Sequence, residues 1–349
     1  MRTQPLELRA DDSLLVVAAH PDDETLAAGG LLQHARAAGC RVTVLIATDG
    51  ENNPWPQRVL ERRWRIGEED RRRFGARRRA EARRALAVLA LEESSLVFFS
   101  LPDQGLTRLA IDDPAPAVDR LRAELALRRP TIVVVSSVRD HHPDHSALGL
   151  LLEIAIAGRA QGSRPARVLH YQVHGGRELH DRVERFAVGL TPGERDTKRR
   201  AILTYRSQLV FRGRFFLSFA DDRELFHGPA IPTHGDARHP ICEASVDEQQ
   251  IRLKIRSRSP IWSVQQKTVL LIGLDATGRP IPLTYPAGDG ELIVPRSRMR
   301  GARRLFVKLE HRWSFFDADG WREIPIEDAI VAPARDATAI ASDSRIAAV

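Results

Sequence analysis

Cysteine is nearly absent: Cys40 and Cys242 are the only two in 349 residues, and they lie in different halves of the chain. That excludes a disulfide framework and a cysteine-based metal site. No run of 18 apolar residues occurs, which argues against a membrane-spanning helix and against stable membrane insertion. Met1–Ser13 is polar and acidic where a secretion leader would be apolar, so a cytoplasmic location is the expectation. Lysine is scarce as well. Lys198, Lys254, Lys267 and Lys308 are the only four among 53 basic residues, so the formal charge of +7 is carried almost wholly by arginine.

The arginines are densest between Arg58 and Arg84, where Glu68, Glu69, Asp70 and Glu81 interleave with them and no aromatic series accompanies them. This pattern reads as a solvated helix face rather than a nucleic-acid surface, and no nucleic-acid partner is expected. With 43% apolar and 28% charged residues the composition is that of a globular protein, long enough for one large or two moderate domains.

Strand-like and helix-like segments alternate over the first 220 residues. Apolar runs at Leu14–Ala19, Val42–Ala47, Leu96–Phe99, Thr131–Val135 and Val168–Val173 read as strands. Helices are expected around Thr25–Ala38, Glu68–Ala90, Ala117–Arg128, Ser146–Ala160 and Pro192–Val210, the last opened by Thr191 as its cap. Such alternation indicates βαβ units, a mostly parallel sheet and a Rossmann-like α/β fold. After Gly228 a breaker-rich linker (Pro229, Pro232, Gly235, Pro240) leads into alternating runs around Asp/Gly turns, the pattern of a smaller antiparallel β-rich domain. The expected organisation is an α/β catalytic domain over 1–228, a β-rich accessory domain over 237–330 and a flexible tail over 331–349.

Two short motifs carry the chemistry. His20-Pro21-Asp22-Asp23-Glu24 follows the first strand, and His142-Pro143-Asp144-His145 follows the fourth. Both fall where open α/β sheets bind ligands, beyond the carboxyl ends of strands. Three histidines and three aspartates suffice for a metal held by two imidazoles and one carboxylate, with acid–base groups to spare.

Val17-Ala18-Ala19-His20-Pro21-Asp22-Asp23-Glu24 resembles the opening signature of the PIG-L/LmbE-like deacetylase family, and His142-Pro143-Asp144-His145 is similar to its second motif. Thr48-Asp49-Gly50, Arg78-Arg79-Ala80-Glu81, Pro102-Asp103-Gln104-Gly105-Leu106 and Tyr205-Arg206-Ser207-Gln208 follow in the family's order, so the resemblance spans about 13–228. It implies a zinc-dependent N-deacetylase with His20, Asp23 and His145 as ligands. It also implies Asp22 as general base, His142 as oxyanion stabiliser, Asp144 orienting that imidazole, and Arg78 and Asp103 holding polar substrate groups. Iron(II) accepts the same ligand types. Asp140 stands where some relatives with sugar-thiol substrates carry tyrosine, a departure that weakens assignment to that substrate class.

The expectation is therefore removal of an acyl group, most readily acetyl, from an N-acylated amino sugar or glycoconjugate. Competing readings are an amidase for a thiol conjugate or other non-sugar amide, and a catalytically silent metal-containing binding protein. Homo-oligomer assembly is left open by the sequence. Trp262, Trp313 and Trp321 are expected as core anchors or as a sugar-stacking surface.

Overall fold

The computed structural model describes residues 3–175, 183–256, 267–288, 290–311 and 319–326. In chain order the first part contains β1 (Thr3–Pro5), β2 (Ser13–Ala18), α1 (Asp23–Ala37), β3 (Arg41–Thr48), α2 (Pro54–Glu61), α3 (Glu68–Val88), β4 (Leu96–Leu101), α4 (Leu106–Asp112), α5 (Ala115–Arg128) and β5 (Ile132–Ser136). It continues with α6 (Pro143–Ala157), β6 (Arg167–Tyr171), β7 (Arg185–Gly189), α7 (Pro192–Ile202), α8 (Arg206–Leu217) and β8 (Arg223–His227). One eight-stranded sheet runs β1-β7-β8-β6-β5-β2-β3-β4. Its pairings are parallel except those of β8, which runs antiparallel to both β6 and β7.

The central strands are buried on both faces, which is why they read as continuous apolar runs. On β2, Leu14, Val16 and Ala18 pack on one side with α1 and α3, while Leu15, Val17 and the following Ala19 pack on the other with α5 and α6. α6 begins at Pro143, earlier than the apolar periodicity indicates, with proline at its first turn and His145 inside that turn.

The single helix expected over Pro192–Val210 is instead two. Thr191 caps α7 through a reciprocal pair with Glu194, as its sequence signature indicates. The break comes at Tyr205, whose φ of −79° and ψ of 54° leave the helical region. Tertiary hydrogen bonds hold it there: the Tyr205 hydroxyl donates to Glu24, Thr204 Oγ1 to the Glu81 carbonyl, and the Ser207 amide to Glu81 Oε1 at 3.0 Å. These side-chain bonds override a helical propensity that is continuous along the sequence. β7 and β8 have no counterpart among the strands expected from sequence, being five-residue strands without a distinctive period.

The C-terminal part forms two antiparallel sheets. β9 (Ile241–Val246) and β10 (Gln250–Ile255) are followed by β11 (Lys267–Leu274), β12 (Pro280–Pro286), β13 (Gly290–Pro295), β14 (Arg304–His311) and β15 (Arg322–Ile324). The sheets are ordered β13-β10-β9 and β12-β11-β14-β15. Ile251 and Leu253 of one meet Val269, Leu271 and Val307 of the other in a shared core. The opposite face of the four-stranded sheet is also buried: Leu270, Ile272, Leu274, Phe306 and Trp321 join the cluster built by α5 and α6. Trp321 is thus a core side chain, whereas Trp262, Trp313 and residues 331–349 lie outside the described residues.

Candidate active site

The two motifs meet beyond the ends of β2 and β5. Three atoms form a compact triangle: His20 Nδ1 is 3.2 Å from Asp23 Oδ2 and 3.2 Å from His145 Nε2, and the latter is 3.1 Å from Asp23 Oδ2. Ligand bonds of about 2.0–2.1 Å at tetrahedral angles place donor atoms roughly 3.3 Å apart, so this triangle matches one face of a zinc coordination sphere. All three residues are buried.

Charge supports the same fit. Asp22, Asp23, Asp103, Asp140 and Asp144 are all buried around this centre. Among the described residues, the only arginine or lysine ion-paired with any of them is Arg78, to Asp22. Buried carboxylates need compensation, and a dication supplies it. Protons stand in where no cation is present. Burial opposes protonation of His145, yet Asp23 and Asp140 outweigh it and raise the imidazole to about 10. His20 is likewise raised well above its usual value, against burial, by Asp103, Asp144 and Asp23. Asp23 is held well below the ordinary carboxylate range, again against burial, by His145 and His20.

The outer nitrogens of the two imidazoles are also braced. His20 Nε2 lies 3.2 Å from Asp103 Oδ1 and 3.3 Å from Asp144 Oδ2. His145 Nδ1 lies 3.4 Å from Asp140 Oδ2, within ion-pair reach but not in aligned hydrogen-bond geometry. Asp140 itself accepts from the backbone amides of His142, Val173 and His174. Carboxylates behind ligating histidines fix ring orientation and raise basicity.

Asp22 occupies the cap position of α1, but its side chain makes no capping hydrogen bond. Its φ of 140° lies in the region that favours glycine, a strain of about 1–3 kcal/mol in a residue with a Cβ. Arg78 holds it: Nη2 donates to Asp22 Oδ2 and to the Pro21 carbonyl, both at 2.9 Å, and Nη1 donates to the Gly50 carbonyl at 2.9 Å. Gly50 is required here, because a Cβ at that position would fall 1.9 Å from Arg78 Nη1. Burial pushes the Asp22 carboxyl up to about 8 against the pull of Arg78.

Three sequence expectations change. Asp144 does not orient the His142 ring through its carboxylate, which instead accepts from the amides of Gln104 at 2.6 Å and Leu106 at 3.0 Å and faces His20. The backbone amide of Asp144, not its side chain, meets His142 Nδ1, at 3.2 Å, because His142 caps α6. Arg78 and Asp103, expected on substrate hydroxyls, are engaged within the protein. Arg78 is 3% exposed and anchors the first motif, and Asp103 Oδ2 accepts from the Asn52 amide at 2.7 Å. Both still border the pocket, as do His20, Asp22, Asp23 and His142.

Asp140, noted in the sequence only as a departure from tyrosine, is the residue whose role behind His145 sequence reasoning does not reach. His174 also reaches the site, its ring centroid 5.0 Å from that of His145 and 5.4 Å from that of His142. Glu24 is engaged within the fold: it accepts from the Asp22 amide at 3.1 Å and from Thr25 Oγ1 at 2.8 Å.

The sequence profile of the PIG-L family, described as GlcNAc-PI de-N-acetylase, matches residues 15–156. A 1D-myo-inositol 2-acetamido-2-deoxy-alpha-D-glucopyranoside deacetylase of Tsukamurella paurometabola is 28% identical over 215 residues, covering 52% of this chain and 69% of that protein. An enzyme of the same name from Nocardia farcinica is 32% identical over 149 residues, covering 39% of this chain and 49% of its own. The chain thus spans from about half to about two thirds of the length of these curated relatives. A solved conserved protein of Thermus thermophilus is 26% identical, with a TM-score of 0.45 over 63% of this chain and 95% of that one. The matched residues hold both histidine–aspartate motifs through His145, so the similarity to the PIG-L family covers the part of the chain that builds this site.

Proposed function

We propose that the protein is a zinc-dependent hydrolase that removes an acyl group, in the first instance acetyl, from an N-acylated amino sugar compound. The observation that carries this reading is the triangle of His20 Nδ1, Asp23 Oδ2 and His145 Nε2 with a strained, arginine-anchored Asp22 directly beside it. The relatives' names and the family description support the substrate class.

Zinc at this triangle would acidify the attacking water and polarise the amide carbonyl. Asp22 is placed to accept the proton of that water, since Arg78 fixes its carboxylate and positive charge at the triangle counters the upward pull of burial. His142 is the hydrogen-bond donor to the developing oxyanion. Its Nδ1 accepts from the Asp144 amide, so the neutral ring carries its proton on Nε2. Burial, with His20 and His145 nearby, holds His142 well below its usual value and keeps it neutral. Asp103, Asp140 and Asp144 position the ligands and leave Arg78 to position the base.

The test is metal analysis of the purified protein together with acetate release from a panel of N-acetylated amino sugars. One zinc per chain and turnover that is lost in Asp22→Asn are expected. A chain that binds no metal, or that releases no acetate while carrying it, would overturn the reading.

A further inference from the structure

A second cavity, of about 400 Å³, lies between the eight-stranded sheet and the C-terminal sheets. Among the described residues its lining has none in common with the pocket that holds the His20–Asp23–His145 triangle. β6 and β8 contribute His170 and His227, and α6 contributes Glu153. From the C-terminal part come Arg304, Phe306, Trp321 and Arg322. Another wall is Ser137, Val138 and Arg139, the segment that leads into Asp140. Small-molecule sites concentrate at interfaces between structural units, and this volume falls at the small end of their range.

The lining residues hold hydrogen-bonding capacity that the fold does not use. His170 Nδ1, His227 Nε2, Trp321 Nε1 and Arg322 Nε are buried and have no hydrogen-bond partner. Buried polar atoms are as a rule paired, so four around one cavity call for an explanation. Three of the four have a fixed role. The nitrogens of Trp321 and Arg322 can only donate. Arg322 is locked in place, with Nη1 donating to the Ile241 carbonyl and Nη2 to the Thr233 carbonyl, both at 2.6 Å. His227 Nδ1 donates to the Gly228 carbonyl at 2.7 Å, and burial keeps the ring neutral, so Nε2 is an acceptor. A partner for these atoms must therefore both accept and donate.

Charge narrows the class. Arg304 is bound by Glu153 and Glu323, and Arg139 by Asp236 and Asp319, with Arg322 facing the second pair. Three guanidiniums stand against four carboxylates, which disfavours an anion. Each carboxylate is already ion-paired, so a cation is not called for either. Hydroxyls donate and accept without charge, and the C–H face of a sugar ring suits Val138, Val183, Ile231 and Phe306 on the same walls.

We propose that this cavity is a second small-molecule site, which binds a neutral polyhydroxylated ligand of monosaccharide size between the α/β sheet and the C-terminal sheets. Trp321 Nε1 and Arg322 Nε donate to its oxygens, and His227 Nε2 accepts from one of its hydroxyls. The proposal does not rest on the deacetylase reading, since the ligand needs no amide and does not touch the triangle.

The experiment titrates the full-length, zinc-loaded protein calorimetrically with glucose, galactose, mannose and sorbitol, none of which is an amide. At least one should bind with a Kd of about 1 mM or tighter. His227→Phe keeps a ring but removes the acceptor, and Ala230→Trp fills the space from a half-buried lining position. Each should weaken binding at least about 10-fold, while His142→Ala in the catalytic pocket leaves it within about 2-fold. Should His227→Phe fail to fold, Ala230→Trp decides alone. Failure of all four probes to bind below about 50 mM overturns the proposal. Binding that survives Ala230→Trp and is lost in His142→Ala also overturns it, placing the sugar in the catalytic pocket. Glucose 6-phosphate binding at least about 10-fold tighter than glucose would overturn the neutral class.

Discussion

Arg139 donates two hydrogen bonds to Asp319, from Nε to Oδ1 at 2.8 Å and from Nη2 to Oδ2 at 2.6 Å, joining positions 180 residues apart. The same guanidinium reaches Asp236 at 2.9 Å. Beside it, the Trp321 amide donates to the Val138 carbonyl, and a Cβ at Gly320 would fall 2.1 Å from that carbonyl oxygen. The C-terminal sheets therefore grip the segment that leads directly into Asp140, His142 and His145. Arg139→Ala should cost about 2–4 kcal/mol of stability, since it strips two largely buried carboxylates of their partner. Gly320→Ala should lower zinc affinity by displacing residues 138–140. Denaturant unfolding and metal titration check both, and an unchanged zinc affinity in Gly320→Ala would show that the grip is structural only.

Asp22→Asn separates binding from chemistry. It keeps a hydrogen-bond acceptor for Arg78 but removes the proposed base, so zinc should stay bound while kcat falls about 10²-fold or more. Loss of metal in this variant would make Asp22 a ligand.

Asp140→Asn tests the residue behind His145. Removing a carboxylate that orients a ligating imidazole typically costs about 10–100-fold in metal affinity. Competition with a chromogenic chelator measures it. Wild-type affinity would mean that the backbone amides of His142, Val173 and His174 are its whole business.

Acid should destabilise the fold through histidines remote from the His20–Asp23–His145 triangle. Burial lowers His227 to about 3 and His239 to about 4. An unfolded chain takes up protons on these rings below about pH 6.5 while the native state does not, so their contribution is full above that pH. Stability then falls as pH drops from about 6.5 towards 4, by up to about 1.4 kcal/mol per pH unit for each ring. Melting curves between pH 5 and 7.5 should be flatter for His239→Asn than for the wild type; equal slopes would refute the assignment.

A chain ending at Gly228 retains every proposed ligand, and from sequence its truncation is expected to preserve zinc binding while altering stability or KM. The shared cluster makes the loss of stability the larger effect. Removing Leu270, Ile272, Leu274, Phe306 and Trp321 uncovers part of the apolar cluster built with α5 and α6. The truncated chain should be aggregation-prone or melt well below the full chain, as read by circular dichroism. A stable, zinc-binding fragment would show that the grip on Arg139 is dispensable.

By itself the sequence determined the α/β layer order and the place of the two motifs. Buried parallel strands must be unbroken apolar runs, and His-Pro-Asp after such a run is a local signal. It likewise determined the cap of α7 and the antiparallel character of the C-terminal part, which rest on neighbours within a few residues. The tertiary structure alone decided which carboxylate serves which imidazole: Asp144 and Asp103 turn to His20, Asp140 to His145, and Arg78 to Asp22 rather than to a substrate. It also decided the break between α7 and α8, set by Glu24 and Glu81 far away in the chain, and the burial of the four-stranded sheet on both faces. These partners lie from a few to more than a hundred residues apart. Their pairing follows from how helices and sheets pack, which leaves no period or spacing in the sequence to read.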